Sequence, residues 1–335
     1  MGFDWSQMTA QGTTSESIDA ATTRGRDYLQ TKQLKDGSWP YKVGQHDPSL
    51  EATSWVTLAL AGRKSETLEK AAQFLVGAQN DDGGYSTMPG AGKSGWVTGP
   101  AVLAMRIVQN QVSQPNLSKQ LPKTIDKALT YMCDSRCEFY PAVGRLMILL
   151  KDGVEGVRYG RGWPWDKQCF HWVEPTSYNL LALKVLGVPA SHKGYFEEII
   201  EIAEKFILEH SCKDGGWNHG NRETLGAYLP PYRVTTAEAL LAVQEYKNKK
   251  SVKTGLDYLA SLGDENNSSM SLAWSILALN AYGRKHEKET AYLLARQRDN
   301  GSFGDNLMVD ALACLALQAD QNNILKYNAP EKTKT

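Results

Sequence analysis

One short motif, written four times, constrains this chain more than anything else in it. The copies are QLKDGSWPY (33–41), QNDDGGYS (79–86), SCKDGGWNHG (211–220) and QRDNGSFGDN (297–306), and RYGRGWPW (158–165) is a degenerate fifth. Each places a glycine turn within two residues of an aromatic and follows an amphipathic stretch such as AAQFLVGAQ or TAYLLARQ. Glycine supplies the positive φ that ends a helix, and the aromatic can plug back onto a core. Repetition at this spacing is the signature of an array of like units.

Each motif leads into a second helix with small or hydroxyl residues at its start and a leucine-rich body. These segments are EATSWVTLAL (51–60), WVTGPAVLAM (96–105), EPTSYNLLAL (174–183), VTTAEALLAV (234–243), MSLAWSILAL (270–279) and MVDALACLAL (308–317). They are apolar on most sides and therefore buried, whereas TIDKALTYM and YFEEIIEIAEKFIL carry one charged face and belong outside. Strand alternation is nearly absent. The expectation is an all-α protein, an α/α toroid of six inner and six outer helices (α6/α6 barrel). FYPAVGRLMILLKD (139–152) is left over as an extra helix or insertion. A linear solenoid of helix pairs competes, but the uneven loops and very apolar inner helices fit a closed ring better. The reading is one barrel domain over 1–325 and a polar, frayed tail over 326–335.

Composition closes off several functions. Lys+Arg and Asp+Glu stand at 37 each, so no basic field exists to hold nucleic acid. Five cysteines (133, 137, 169, 212 and 314) include one C-x3-C pair with no second pair at zinc-site spacing. Buried or half-buried reduced thiols in a cytoplasmic protein are the expectation. No secretory signal pattern and no run of eighteen apolar residues occurs, leaving peripheral contact as the only membrane role. Neither G-x-x-x-x-G-K-[ST] nor G-x-G-x-x-G is present, and no cofactor or metal is implied.

Three consecutive segments sharpen the picture. GWVTGPAVLAM (95–105) resembles the W-D-T-G-x-A-V-L-A-L segment of class II terpene cyclases. YGRGWPWDKQCFHWVEPTSYNLLAL lies where those enzymes carry an aromatic loop and then D-x-D-D-T. GGWNHG…LPPYRVTTAEALL resembles their G-G-W-G…P-P-S-E-D-V-T-A-H-V-L run. The chain thus resembles the squalene-hopene cyclase and protein-prenyltransferase β-subunit superfamily, closest to the barrel domain of the cyclases in a monodomain form. Aligned on Thr176, the resemblance sets Trp172, Glu174 and Pro175 at the family's three aspartates, with Glu174 at the central one, the proton donor. Aligned on Thr236, it sets Glu238 at the histidine that assists the donor. The motif is therefore reduced to one carboxylate, and its imidazole partner is replaced by a second.

Class II cyclisation protonates an alkene or epoxide and then stabilises migrating carbocations, so its acid must be held away from water. Glu174 begins an inner helix, where the helix dipole favours its ionised form by about 0.3–1 kcal/mol and makes it a stronger acid. If Glu238 neighbours it, two like charges cannot both ionise cheaply and one proton is shared. Such a pair delivers a proton, binds an amine or a metal ion, or is merely two separate solvated groups. His171 either assists Glu174 or hydrogen-bonds its own loop. Glu51 occupies the register of Glu174 and reads as a cap-region carboxylate. Asp310 is a lone acid on an apolar helix.

Aromatic faces stabilise cations by about 0.5–2 kcal/mol each. The candidates for binding an isoprenoid are Trp96, Trp163, Trp165, Phe170, Trp172, Tyr178 and Tyr232, with core packing the alternative role for Trp96, Phe170, Trp172 and Tyr232. Trp39, Tyr85, Trp217 and Phe303 are read as structural plugs. The functional expectation is protonation-initiated cyclisation of a linear isoprenoid or prenylated small molecule, an intramolecular lyase or isomerase reaction. A non-catalytic isoprenoid- or lipid-binding protein is the alternative. A prenyltransferase β-like subunit is the third, against which counts the lack of the D-x-C zinc motif.

Overall fold

The computed structural model describes residues 14–63, 65–135, 146–147, 149–150, 162–166, 169, 171–187, 193–261, 267–328 and 331–332. Outer and inner helices alternate along the chain. The outer ones are α1 (Ser15–Thr31), α3 (Glu66–Gly77), α5 (Pro115–Asp134), α7 (Lys193–Glu209), α9 (Lys250–Ser261) and α11 (Glu287–Leu294). The inner ones are α2 (Leu50–Leu60), α4 (Thr98–Val108), α6 (Val173–Leu186), α8 (Arg233–Ala242), α10 (Ser269–Ala281) and α12 (Leu307–Leu317). Each inner helix packs on the inner helices before and after it, and α12 returns to pack on α2. The ring is closed, as the sequence predicts. A two-stranded hairpin, β1 (Glu223–Thr224) and β2 (Ala227–Tyr228), rises between α7 and α8.

The repeated motif is a staple, and its hydrogen bonds recur copy by copy. The backbone N–H of the plug aromatic donates to the hydroxyl of a threonine in the first turn of the next inner helix. The pairs are Trp39 to Thr53 (2.9 Å), Tyr85 to Thr98 (3.0 Å), Trp163 to Thr176 (2.8 Å) and Trp217 to Thr236 (2.8 Å). The far end of the same ring donates to a carbonyl near the end of the preceding outer helix: Leu29, Leu75, Met132 and Ile207, at 2.6–2.9 Å. One buried side chain thus ties the end of an outer helix to the start of an inner one. In the last copy the Phe303 N–H donates to Asp310 Oδ1 at 2.6 Å, so the lone acid stands where the other copies have threonine.

The glycine turns dock on the next outer helix. Gly301 has φ +92°, and a Cβ there would lie 2.5 Å from the Arg24 carbonyl oxygen of α1. Only glycine fits that conformation and that approach. This contact joins the last repeat to the first helix and completes the outer ring.

Trp163, assigned above to the pocket, is a plug with the geometry of Trp39 and Trp217. Cys133, Cys212 and Cys314 are buried free thiols, but Cys169 is exposed. The segment 326–335, read as a frayed tail, is tied down where it is described. Tyr327 Oη donates to Glu245 Oε2 at 2.8 Å, and Lys332 Nζ lies 2.8 Å from Glu204 Oε2. Glu204 and Glu245 also flank Lys184 Nζ at 2.7 and 2.9 Å, giving a buried ion network at the C-terminal end of α6. The extra helix read at 139–152 lies largely outside the described residues, as does Phe170. Among the described residues no helix is long and apolar enough to cross a membrane.

Candidate active site at the barrel mouth

The stapling threonines provide a common register for the inner helices. Two residues before them stand Glu51, Trp96, Glu174 and Val234, all half-buried, and two residues after them stand Trp55, Pro100, Tyr178 and Glu238, all buried. Positions four apart share one helix face and differ in depth by about one turn. The N-terminal end of the barrel therefore presents an outer layer holding Glu51, Trp96 and Glu174. Beneath it lies a deeper layer holding Trp55, Tyr178 and Glu238, joined by Trp274 of α10.

Tyr178 organises both layers. Its hydroxyl donates to Glu238 Oε1 at 3.0 Å and lies 3.5 Å from Glu174 Oε1. Its ring stacks on Trp96 and Trp274, with centroids 5.9 and 6.0 Å away, and meets Trp55 edge-on at 5.8 Å. Trp55 and Trp274 also meet edge-on at 5.2 Å, so residues from α2, α6 and α10 come together across the barrel. Trp165 closes the outer side by meeting Trp96 edge-on at 4.8 Å.

Burial governs the charges. It pushes the Glu51 carboxyl up to about 8, with Glu174 adding repulsion, and it pushes Glu174 up to about 7 against the lowering effect of the Tyr178 hydroxyl. Glu238 is raised well above the ordinary range, first by burial and then by the charges of Glu174 and Glu51. Among the described residues no cation stands in the groups that act on these three carboxyls. Desolvation of all three, with like charge on Glu51 and Glu238, favours the neutral acids. Glu238 Oε2, Trp55 Nε1 and Trp274 Nε1 are buried and have no hydrogen-bond partner among the described residues. Unsatisfied groups at this depth are uncommon in folded proteins and mark the layer as unusual.

The other predicted residues separate from this cluster. His171 meets Phe206 of α7 edge-on at 4.9 Å, and burial followed by the nearby His210 takes its imidazole down to about 4. Trp172, Tyr232 and His219 form a rim, with His219 6.3 Å from Trp172 and 5.2 Å from Tyr232. The sequence does not single out Trp55 and Trp274; Trp55 sits one turn beyond Glu51 on stapled α2, and Trp274 lies on α10, for which no staple is described. Glu51, read as a cap-region acid, joins the cluster. Among the described residues no group of three His, Cys, Asp or Glu is placed to hold a metal ion.

A ring of inner helices inside a ring of outer ones is an α/α toroid, and solved toroids match this chain along most of its length. A type II terpene cyclase from Scytonema, in complex with merosterolic acid A (product), is 13% identical with a TM-score of 0.55, covering 92% of this chain and 99% of its own. A GH76 α-mannanase from Bacteroides thetaiotaomicron is 12% identical with a TM-score of 0.62, covering 91% and 95%. A protein described as a novel alpha-amylase from Clostridium perfringens is 14% identical with a TM-score of 0.61, covering 89% and 97%. No family model and no curated relative matches the chain. What is shared at this identity is the fold, and these toroids carry different chemistries.

Proposed function

We propose that the protein is a class II terpene-cyclase-like enzyme whose acid is the Glu174–Tyr178–Glu238 relay. The observation that carries this reading is a buried carboxyl within an aromatic frame: Glu238 bonded to Tyr178 through Oε1, with Oε2 unpartnered among the described residues. Protonation forms a C–H bond from the alkene π electrons, or opens an epoxide at its oxygen, as the carboxyl O–H breaks. The carboxylate left behind and the faces of Trp55, Trp96, Tyr178 and Trp274 stabilise the cation. Loss of a proton from the last cation ends the reaction as an isomerisation. A carboxyl with a raised pKa is well loaded but a weak acid, so an epoxide or an activated alkene suits it better than a plain one. The substrate is a linear isoprenoid or prenylated small molecule.

The same toroid serves glycosidases, which use one protonated and one ionised carboxyl. Here Glu51, Glu174 and Glu238 all shift upward, which disfavours that division of roles. A binding protein for isoprenoids is the second reading. The convergence of Trp55, Tyr178 and Trp274 at 5.2–6.0 Å favours it by narrowing the interior available to a folded chain. The test is incubation with polyprenyl, epoxy-polyprenyl and prenylated aromatic substrates, comparing wild type with Glu238→Gln and Glu174→Gln. Cyclised product from wild type alone supports the relay. Equal product from all three removes it, and isoprenoid retained without product favours the binding reading.

A further inference from the structure

Beside the mouth lies a recess of about 520 Å3 that the proposed chemistry does not use. His210, Ser211, Lys213, Asn221, Arg222 and Tyr228 are among the residues that line it. Its cations are unspent. Lys213 Nζ sits 4.2 Å over the Tyr228 ring, and among the described residues neither it nor the Arg222 guanidinium has a carboxylate partner. Glu223 shares the lining without pairing to either.

The wall that carries Arg222 is braced. Asn218 is buried, donates from Nδ2 to the carbonyls of Asn221 (2.8 Å) and Pro230 (3.3 Å), and accepts the Gly220 N–H at 3.0 Å. The Leu229 N–H donates to the Arg222 carbonyl at 3.0 Å, and β1 pairs with β2 just beyond. His210, also in the lining, donates from Nδ1–H to the Phe206 carbonyl at 2.7 Å, leaving Nε2 uncommitted to that bond. Two unpaired cations on a braced polar wall suit an anion with several oxygens, since each charge-assisted bond needs its own acceptor.

We propose that this recess binds a phosphate or diphosphate group. A single carboxylate needs only one of the two cations, whereas a phosphate or diphosphate has oxygens enough to engage both Arg222 and Lys213. The recess also shares a wall with the mouth: the His219 carbonyl accepts the Val173 N–H at 3.0 Å, one residue before Glu174. A ligand whose anionic head sits in the recess can direct an apolar chain past Trp172 and Tyr232 into the barrel. That last connection rests on the function proposed above; the anion site itself does not.

The experiment is calorimetric titration of the full chain with inorganic pyrophosphate. Wild type is expected to bind, Arg222→Gln and Lys213→Gln each to weaken binding about tenfold, and Glu223→Gln to tighten it by removing repulsion. These side chains are exposed, so unchanged thermal melts confirm that the variants fold. No binding by wild type, or equal binding by the Arg222→Gln/Lys213→Gln double variant, overturns the proposal. Two further probes distinguish the source of the phosphate. Competition by soluble geranyl diphosphate points to a free ligand. Co-sedimentation with phosphatidic-acid vesicles that pyrophosphate reverses points to a lipid headgroup. Pyrophosphate binding without cyclisation of any isoprenoid would overturn the cyclase reading and leave the recess standing.

Discussion

Tyr178 donates its hydroxyl to Glu238 at 3.0 Å across the α6–α8 interface, while its ring is packed by three tryptophans. The phenol thus holds the orientation of a carboxyl that has no other described partner.

Removing that hydroxyl should be costly. Tyr178→Phe leaves Glu238 Oε1 buried and unpaired, and a loss of about 1–3 kcal/mol is expected in chemical denaturation. If Glu238 is the proton source, Glu238→Gln lowers turnover by a factor of about 10²–10⁴, with a smaller effect from Tyr178→Phe. Single-turnover product analysis checks both.

Stability should fall as the solution becomes alkaline. The folded carboxyls of Glu51 (about 8) and Glu174 (about 7) lie above their unfolded values, so the folded state binds more protons. Their contribution is fully present below about pH 4.5 and is lost as pH rises through 7 and 8. Denaturation midpoints measured from pH 5 to 9 should decline in wild type and flatten in Glu51→Gln/Glu174→Gln.

Asp310 contributes with the same sign from α12, the neighbour of α2. Burial takes it up to about 7, and its Oδ2 has no described hydrogen-bond partner. Asp310→Thr installs the residue used by four other staples and should raise the melting temperature at pH 8 more than at pH 5. Asp310→Ala deletes the bond to the Phe303 N–H and should lower it at both.

The ion network below α6 gives a larger effect. Lys184→Met leaves Glu204 and Glu245 buried with a cation removed, and about 3–5 kcal/mol of destabilisation is expected. Replacing all three by apolar residues should recover much of that loss, measured by urea denaturation.

The toroid was legible because its determinants are local. A glycine turn, an aromatic and a hydroxyl-bearing helix start recur within about twenty residues of one another, so the staples are written in sequence neighbourhood. The site was legible only in part. Glu174 and Glu238 could be placed by resemblance, and Tyr178 follows four residues after Glu174. Trp55 and Trp274 lie about 220 residues apart and meet only because the ring closes, which no local pattern encodes. His171, three residues from Glu174 in sequence, precedes the helix, and its ring meets Phe206 of the outer helix α7.

Closure has a kinetic meaning. The Gly301 turn rests on Arg24, and Gln297 Nε2 donates to the Ala21 carbonyl at 2.7 Å, across 276 positions of chain. During synthesis α1 waits for its partner until the residues around 297–301 have been made. Staples formed earlier can build an arc of helices, but the arc keeps two unsatisfied apolar edges until the final repeat arrives. Chains truncated before residue 297 should therefore be captured by chaperones or aggregate, even though most of their repeats are intact.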